Sequence, residues 1–304
     1  ARRFADRDIT DVIDLCCGMG GDAMALARVA RVVGVDWSAL RAWMTACNAD
    51  CSVMTADVHA VDPEDRAFHI DPSRRDSAGR RNHALADYRP GPDVLARLLR
   101  DGAATGAVKL GPGIDPADLP ATDRTELEFI SLNGKLSQAV LWSGGLVDQP
   151  GGRVATVLPA GSTLRGIAGD APARPLGATV IAADPAVERA GLLGELGASM
   201  AAGEIRPGLG WLTSDEVTHH PLARTFLVHL HRGWDERAIR KWLRRHDAGE
   251  VVIKVRGRAL RPDAYQRRMS GRGSVPYWVF VFRAERSLRA IITTRVGSPV
   301  TTSE

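Results

Sequence analysis

The chain has 304 residues, 44% of them hydrophobic and 25% charged, with a formal net charge of +4. That length suits one large or two ordinary domains, and the composition excludes a disordered or fibrous chain. No apolar run approaches the roughly 20 residues of a membrane span. No secretory leader pattern opens the chain, so no membrane partner is expected and the cytoplasm is the expected location.

The first half alternates strand and helix patterns. "DVIDLCC" is a short apolar run that stops at Gly18, and "GDAMALARVAR" follows with helix formers. "VVGVD" reads as a second buried strand. Ser38 then opens "SALRAWMTACNA" at a position suited to an N-cap. Leu40, Trp43, Met44 and Cys47 fall at i, i+3, i+4 and i+7, which predicts one buried helical face. "CSVMTAD" and "AFHID" are third and fourth strands. A polar, arginine-rich stretch leads to the helix "DVLARLLRDG" and a fifth strand, "AVKLGPGI".

Repeated strand–helix–strand units imply a parallel sheet covered on both faces, with ligands at the carboxyl ends of its strands. "LEFISLNGKLSQAVLW" sets Asn-Gly between two apolar runs, which is a hairpin signal. "RVATVLP" adds a strand, and the stretch from Gly161 to Gly177 reads as a linker. Beyond it "PAVERAGLLGELGA" reads as a helix. "ERAIRKWLRRH", "GEVVIKVRG", "RPDAYQRRM", "PYWVFVFRA" and "LRAIITTRV" read as helix, strand, helix, strand, strand.

The four cysteines, Cys16, Cys17, Cys47 and Cys51, all lie early in the chain. Cys47 and Cys51 have a C-x3-C spacing, and a metal pair there would need further ligands, for which His59 or His69 is a candidate. The expectation is no metal and reduced thiols acting as small hydrophobes. Charge is distributed unevenly. Residues 237–295 hold sixteen Lys and Arg against four acids, a surplus of twelve on an otherwise acidic chain. Such a segment is suited to a polyanion.

"DLCCGMGGD" carries the strongest chemical signal. Gly18 and Gly20 follow a buried strand, where glycine lets a backbone approach a ligand closely. Asp36 ends the next strand, sixteen residues after Gly20, placed to accept ribose hydroxyls. Asp14, just before the turn, would repel a pyrophosphate and welcome a cationic ligand. Asp57 follows the third strand, within reach of an adenine amino group. Acids after three successive strands favour an adenosyl sulfonium over a nicotinamide dinucleotide.

These residues resemble the class I S-adenosylmethionine-dependent methyltransferases: Asp14-x3-Gly18-x-Gly20, then Asp36 with Trp37 beside it, Asp57, and "DPSRR" after strand four. Cys16 stands where that family usually has its first glycine. In order along the chain, "GMGGDAMALA", "GVDWS", "HIDPSRR", "KLGPGID", "AVLWSG", "RVATVLP", "DPAVERAGLLGELG", "KVRG" and "RRM" are similar to bacterial methyltransferases with a C-terminal THUMP-like domain, near the RNA guanine-N2 methyltransferases. The resemblance implies an α/β, Rossmann-like sheet, mostly parallel with an antiparallel last strand, over residues 1–168. A smaller α+β region over 169–304 would hold the THUMP-like module at about 225–298. S-adenosylmethionine is the implied cofactor, held by Asp14, Cys16, Gly18, Gly20, Asp36, Trp37 and Asp57, and RNA is the implied partner.

Asp71-Pro72 would orient the methyl acceptor. In amino-methyltransferases this motif continues with a second proline and an aromatic; here Ser73 and Arg74 follow, so a stacking ring would come from elsewhere, with Trp142 or Tyr88 as candidates. No cysteine follows Cys51, which disfavours covalent attack on a pyrimidine ring. Arg74 and Arg75 beside the site, and Lys254, Arg256 and Arg258 in the basic tail, are the expected phosphate contacts. The expected function is N-methylation of an RNA base. The alternatives are a non-catalytic RNA-binding protein on the same scaffold and a small-molecule methyltransferase, with a dinucleotide oxidoreductase less favoured.

Overall fold

A computed structural model describes residues 1–74, 84–100, 104–119, 123–257, 259–285 and 287–297. The chain divides into two compact units, Ala1–Ile167 and Ala168–Glu304. Among the described residues no helix is long and apolar enough to cross a membrane.

The first unit contains α1 (Arg2–Ala5), β1 (Asp11–Leu15), α2 (Gly21–Leu26), β2 (Arg31–Asp36), α3 (Ala39–Asn48), β3 (Ser52–Thr55), β4 (Ala67–Ile70), α4 (Pro92–Leu98) and β5 (Gly106–Leu110). Four strands complete it: β6 (Thr125–Leu132), β7 (Lys135–Ser143), β8 (Arg153–Leu158) and β9 (Ser162–Gly166). They form one nine-stranded sheet in the order β3-β2-β1-β4-β5-β7-β6-β8-β9. The first five strands are mutually parallel. β7 inserts antiparallel between β5 and β6. The strand order reverses between β1 and β4, and a crevice at the carboxyl ends of such strands is where ligands bind.

The sequence explains most of this. β1 and β4 bury nearly every side chain, as strands covered on both faces must. Asn133 and Gly134 both take positive φ, 51° and 73°, the pairing a two-residue hairpin turn requires. The expected linker is partly a strand. β9 pairs antiparallel with β8 through a turn at Gly161, φ +73°. Its sequence, STLRG, has one large apolar side chain and so gives no hydrophobic run to read.

α3 is rotated from the expected orientation. Leu40 and Trp43 are 63% and 62% exposed, Cys47 is exposed, and the buried positions are Ala42 and Thr45. The cause is close approach to glycine. A Cβ on Gly20 would lie 3.1 Å from Thr45 Cα, and one on Gly34 would lie 3.2 Å from Thr45 Cγ2. The helix is seated on bare backbone, and its large apolar residues point outward. Ser38 makes no side-chain cap bond to this helix.

The second unit contains β10 (Thr179–Ala183), α5 (Pro185–Ala190), α6 (Leu193–Ser199), β11 (Gly203–Glu204), β12 (Trp211–Ser214), β13 (Ala223–Gly233), α7 (Glu236–Arg245), β14 (Ala248–Val255), α8 (Pro262–Met269), β15 (Val275–Ala284) and β16 (Ser287–Arg295). Its seven-stranded sheet runs β11-β12-β10-β13-β16-β15-β14, and only β14 and β15 pair in parallel. The helix expected over 185–198 is two helices, broken at Gly191 with φ +73°. From α7 onward the elements follow the sequence reading. α7 and α8 cover one face of the sheet, burying Ile239, Leu243 and Met269 against Val251, Ile253 and Val279.

Candidate active site

The turn leaving β1 has three left-handed residues in five: Cys16 (φ 62°), Gly18 (φ 60°) and Gly20 (φ 86°). A side chain on Gly20 would crowd Thr45, whose Cα would lie 3.1 Å from the added Cβ. Gly18 differs. A Cβ there would meet nothing nearer than Cys16 O at 3.9 Å, so open space adjoins its backbone. Cys16 adopts a conformation that costs a non-glycine residue about 1 kcal/mol or more. Its thiol is pushed up to about 12, first by burial and then by Asp36, Asp14 and Asp71. It therefore sits in the turn as a neutral thiol.

Asp36 is 3% exposed and ties this turn to the end of β2. Its Oδ2 accepts from Gly18 N at 3.1 Å and its Oδ1 from Ser38 N at 2.9 Å. Each oxygen keeps a further acceptor site. Trp37, next in sequence, is 75% exposed. Asp57 stands after β3 and caps a short turn, accepting from His59 N at 3.0 Å and pairing with His59 Nδ1 at 2.7 Å. The backbone and ring of His59 hold the Asp57 carboxyl below its usual range.

Asp14 lies deeper. It pairs in register with His69 on β4, and its Oδ1 is 2.6 Å from His69 Nδ1. Its side chain is 1% exposed, and Oδ2 has no hydrogen-bond partner among the described residues. Burial raises its pKa; His69 offsets this in part, and Asp22 and Asp71 add to it. An unpaired buried carboxylate oxygen is costly and invites a cationic or donor ligand.

Asp71 leaves β4 beside the end of β1, its N–H directed at Leu15 O at 3.4 Å. Its Oδ2 is 2.8 Å from Lys109 Nζ, which also lies 2.5 Å from Asp22 Oδ2. Burial works against the lysine charge, but Asp71 and Asp22 outweigh it and hold its pKa above the ordinary value. Lys109 thereby links β5, α2 and the end of β4. The sequence reading did not single out Lys109, Asp22 or the Asp14–His69 pair. A signal was present: a lysine inside "GAVKL" and a histidine inside "AFHI" are polar residues in buried strands, and such residues need partners.

Pro72 is buried beside Asp71. Ser73 is pinned by two backbone bonds to Arg89, at 2.7 and 3.0 Å. Arg74 lies against the turn after β5. A Cβ at Gly111 would meet Arg74 Nη1 at 3.2 Å and the Tyr88 hydroxyl at 2.9 Å. Neither proposed stacking ring is available. Tyr88 is 2% exposed, and its hydroxyl accepts from Gly111 N. Trp142 is 8% exposed, donates to Glu128 and lies under Arg3. Both rings are structural because each has a polar tip satisfied inside the fold.

In the second unit Lys254 is half-buried. Burial lowers its pKa, and Arg224, Arg256 and Arg295 lower it further. Arg256 pairs with Glu188 and lies 5.7 Å over the Trp211 ring. Arg75 and Arg258 lie outside the described residues.

This sheet order, with the glycine turn after β1 and an acid ending β2, defines a methyltransferase-type α/β domain. A crystal structure of a protein from Porphyromonas gingivalis W83 described as a methyltransferase has the same fold. It covers 95% of this chain and 78% of that one, with a TM-score of 0.75 at 18% identity. Residues 223–295 match a family described as THUMP domain-like. Over 310 aligned residues the chain is 36% identical to an uncharacterized S-adenosylmethionine-dependent methyltransferase of Mycobacterium tuberculosis strain CDC 1551 / Oshkosh, covering 98% of this chain and 84% of the relative. The counterpart in strain H37Rv matches equally. The chain belongs to this family of S-adenosylmethionine-dependent methyltransferases and carries a C-terminal THUMP-like domain.

Proposed function

We propose that this methyltransferase methylates an amino nitrogen of a base in RNA by direct displacement. When bound, S-adenosylmethionine supplies an electrophilic methyl group on a sulfonium. The residues present fit such a ligand. Gly18 borders open space, Asp36 keeps acceptor capacity for ribose hydroxyls, and Asp14 Oδ2 is a buried carboxyl oxygen without a partner among the described residues. Cys16 and Gly20 shape the turn, and the exposed Trp37 ring and Asp57 stand at the adenine end of the same reading.

One observation carries the acceptor assignment. The Asp71 carboxylate stands at the end of β4, 34% exposed, with Oδ2 held by Lys109. Oδ1 is then left to accept an N–H bond from an exocyclic amine, which turns the nitrogen lone pair toward the methyl group. Orientation of that kind is the main service a displacement needs. Pro72 fixes the backbone there, and Arg74 supplies a cation for the phosphate or base. The THUMP-like module would dock the RNA.

Incubation of the protein and methyl-labelled cofactor with unmodified total RNA tests this. The expected product is a nucleoside N-methylated on its base. Label that stays out of RNA but enters a small-molecule pool would replace this reading with a small-molecule methyltransferase. In calorimetry, a folded Asp36→Ala variant is expected to lose cofactor binding.

A further inference from the structure

We infer that the outward face of α7 is the surface on which RNA phosphates dock, an inference that rests on the RNA reading above. The helix has ten residues, and Arg237, Arg240, Lys241, Arg244 and Arg245 recur on it at i, i+3, i+4, i+7 and i+8. They form one stripe about 12 Å long at ~1.5 Å per residue. Four are exposed and Arg240 is half-buried. None forms a salt bridge with a described residue.

The three acids nearest this stripe in sequence have partners of their own. Glu236 pairs with Arg268 at 3.2 Å, Asp235 caps α7 by accepting from Ala238 N, and Asp247 accepts from Ser274. The other basic cluster is less free: Arg256 has Glu188 as partner, and Lys254 is half-buried among arginines.

Three observations favour a nucleic-acid strand over other polyanions. The apolar side of α7, Ile239 and Leu243, is buried against its own sheet, so the helix has no face to insert into a lipid surface. The outward stripe has no exposed apolar or aromatic anchor, and a protein interface normally needs one. Four of the five cations are arginines, whose planar forks match phosphate oxygens bidentately.

The test is fluorescence anisotropy of the full chain with a labelled stem-loop RNA across ionic strength. Comparison is made with Lys241→Glu/Arg244→Glu and with Lys254→Ala/Arg256→Ala. Each lost phosphate contact lowers the log–log salt slope by about 1. The α7 variant is expected to lose about 2 in slope and roughly 10- to 100-fold in affinity at 0.1 M salt. Its helix content and cofactor affinity should match wild type, because the changed positions are exposed and lie outside the unit that holds the cofactor turn.

Wild-type RNA binding that survives in the α7 variant with unchanged slope overturns the docking face and leaves the RNA reading standing. A slope loss confined to Lys254→Ala/Arg256→Ala does the same. No RNA binding by the wild type overturns both. Binding to polyglutamate or phosphatidylserine vesicles as tight as to RNA also overturns the inference.

Discussion

Lys109 Nζ lies 2.8 Å from Asp71 Oδ2 and 2.5 Å from Asp22 Oδ2, so one ammonium joins the end of β4 to α2. Lys109 is mostly buried, at 21% side-chain exposure, and charge-assisted bonds in such settings fix geometry as well as contribute energy. Asp71 would therefore face an acceptor in one rotamer.

Replacing Lys109 with methionine keeps the chain length and removes the clamp. The expected result is a fall in kcat of about 10- to 100-fold as Asp71 swings, with cofactor affinity changed by less than about threefold. Lys109→Arg should restore part of kcat, and Asp22→Asn should show a weaker form of the same defect. Equal losses in kcat and in cofactor affinity would indicate a general collapse of the site instead.

Asp14 gives a pH prediction. Its folded pKa is raised above the ordinary 3.8, with burial the largest cause and His69 a partial offset. The folded state then holds a proton that the unfolded state releases. Stability from this group is lost as pH rises from the unfolded pKa through the folded one. Asp14→Asn removes that dependence while keeping an acceptor for His69. Urea midpoints should show the variant gaining on wild type as pH rises above the ordinary carboxyl range of about 4, while its cofactor binding weakens.

The strand-end acids and the glycine turn were legible because they sit where hydrophobic runs stop. β1 to β8 and α7 to β16 were legible for the same reason. Two kinds of feature were hidden. One is pairing through space: nothing in "GAVKL" tells which carboxylates Lys109 finds, because Asp22 and Asp71 come from different elements. The other is packing on bare backbone. α3 shows an apolar stripe by periodicity, but Gly20 and Gly34 admit Thr45 and turn the stripe outward. β13 was hidden too, because its burial alternates irregularly and a register shift falls between Val228 and Leu230.

Cys16→Gly should stabilise the fold. The left-handed φ of 62° costs cysteine and costs glycine nothing, partly offset by the greater chain entropy of glycine when unfolded. The net gain should be about 0.5–1 kcal/mol, a Tm rise of roughly 1–3 °C. With its pKa pushed up to about 12, the native thiol should resist iodoacetamide near neutral pH. The exposed Cys47 should react first, which peptide mapping after a timed pulse will show.

Thr45 and Trp43 offer a paired test of how α3 is seated. Thr45 is fully buried, and its hydroxyl donates to Gly18 O at 3.0 Å while lying 3.4 Å from Cys17 Sγ. Thr45→Val keeps the shape and deletes the bond to the glycine turn, at a cost of about 1 kcal/mol, and loosens the turn around Gly18. Thr45→Leu adds volume where the neighbours are backbone, and overpacking there should cost about 1–3 kcal/mol. Trp43→Ser removes a far larger side chain from an exposed position and should change stability by less than about 0.5 kcal/mol. Thermal melts in the apo form, with cofactor titrations alongside, separate these outcomes. A large stability loss in Trp43→Ser together with a neutral Thr45→Leu would mean that the helix buries the stripe its periodicity predicts.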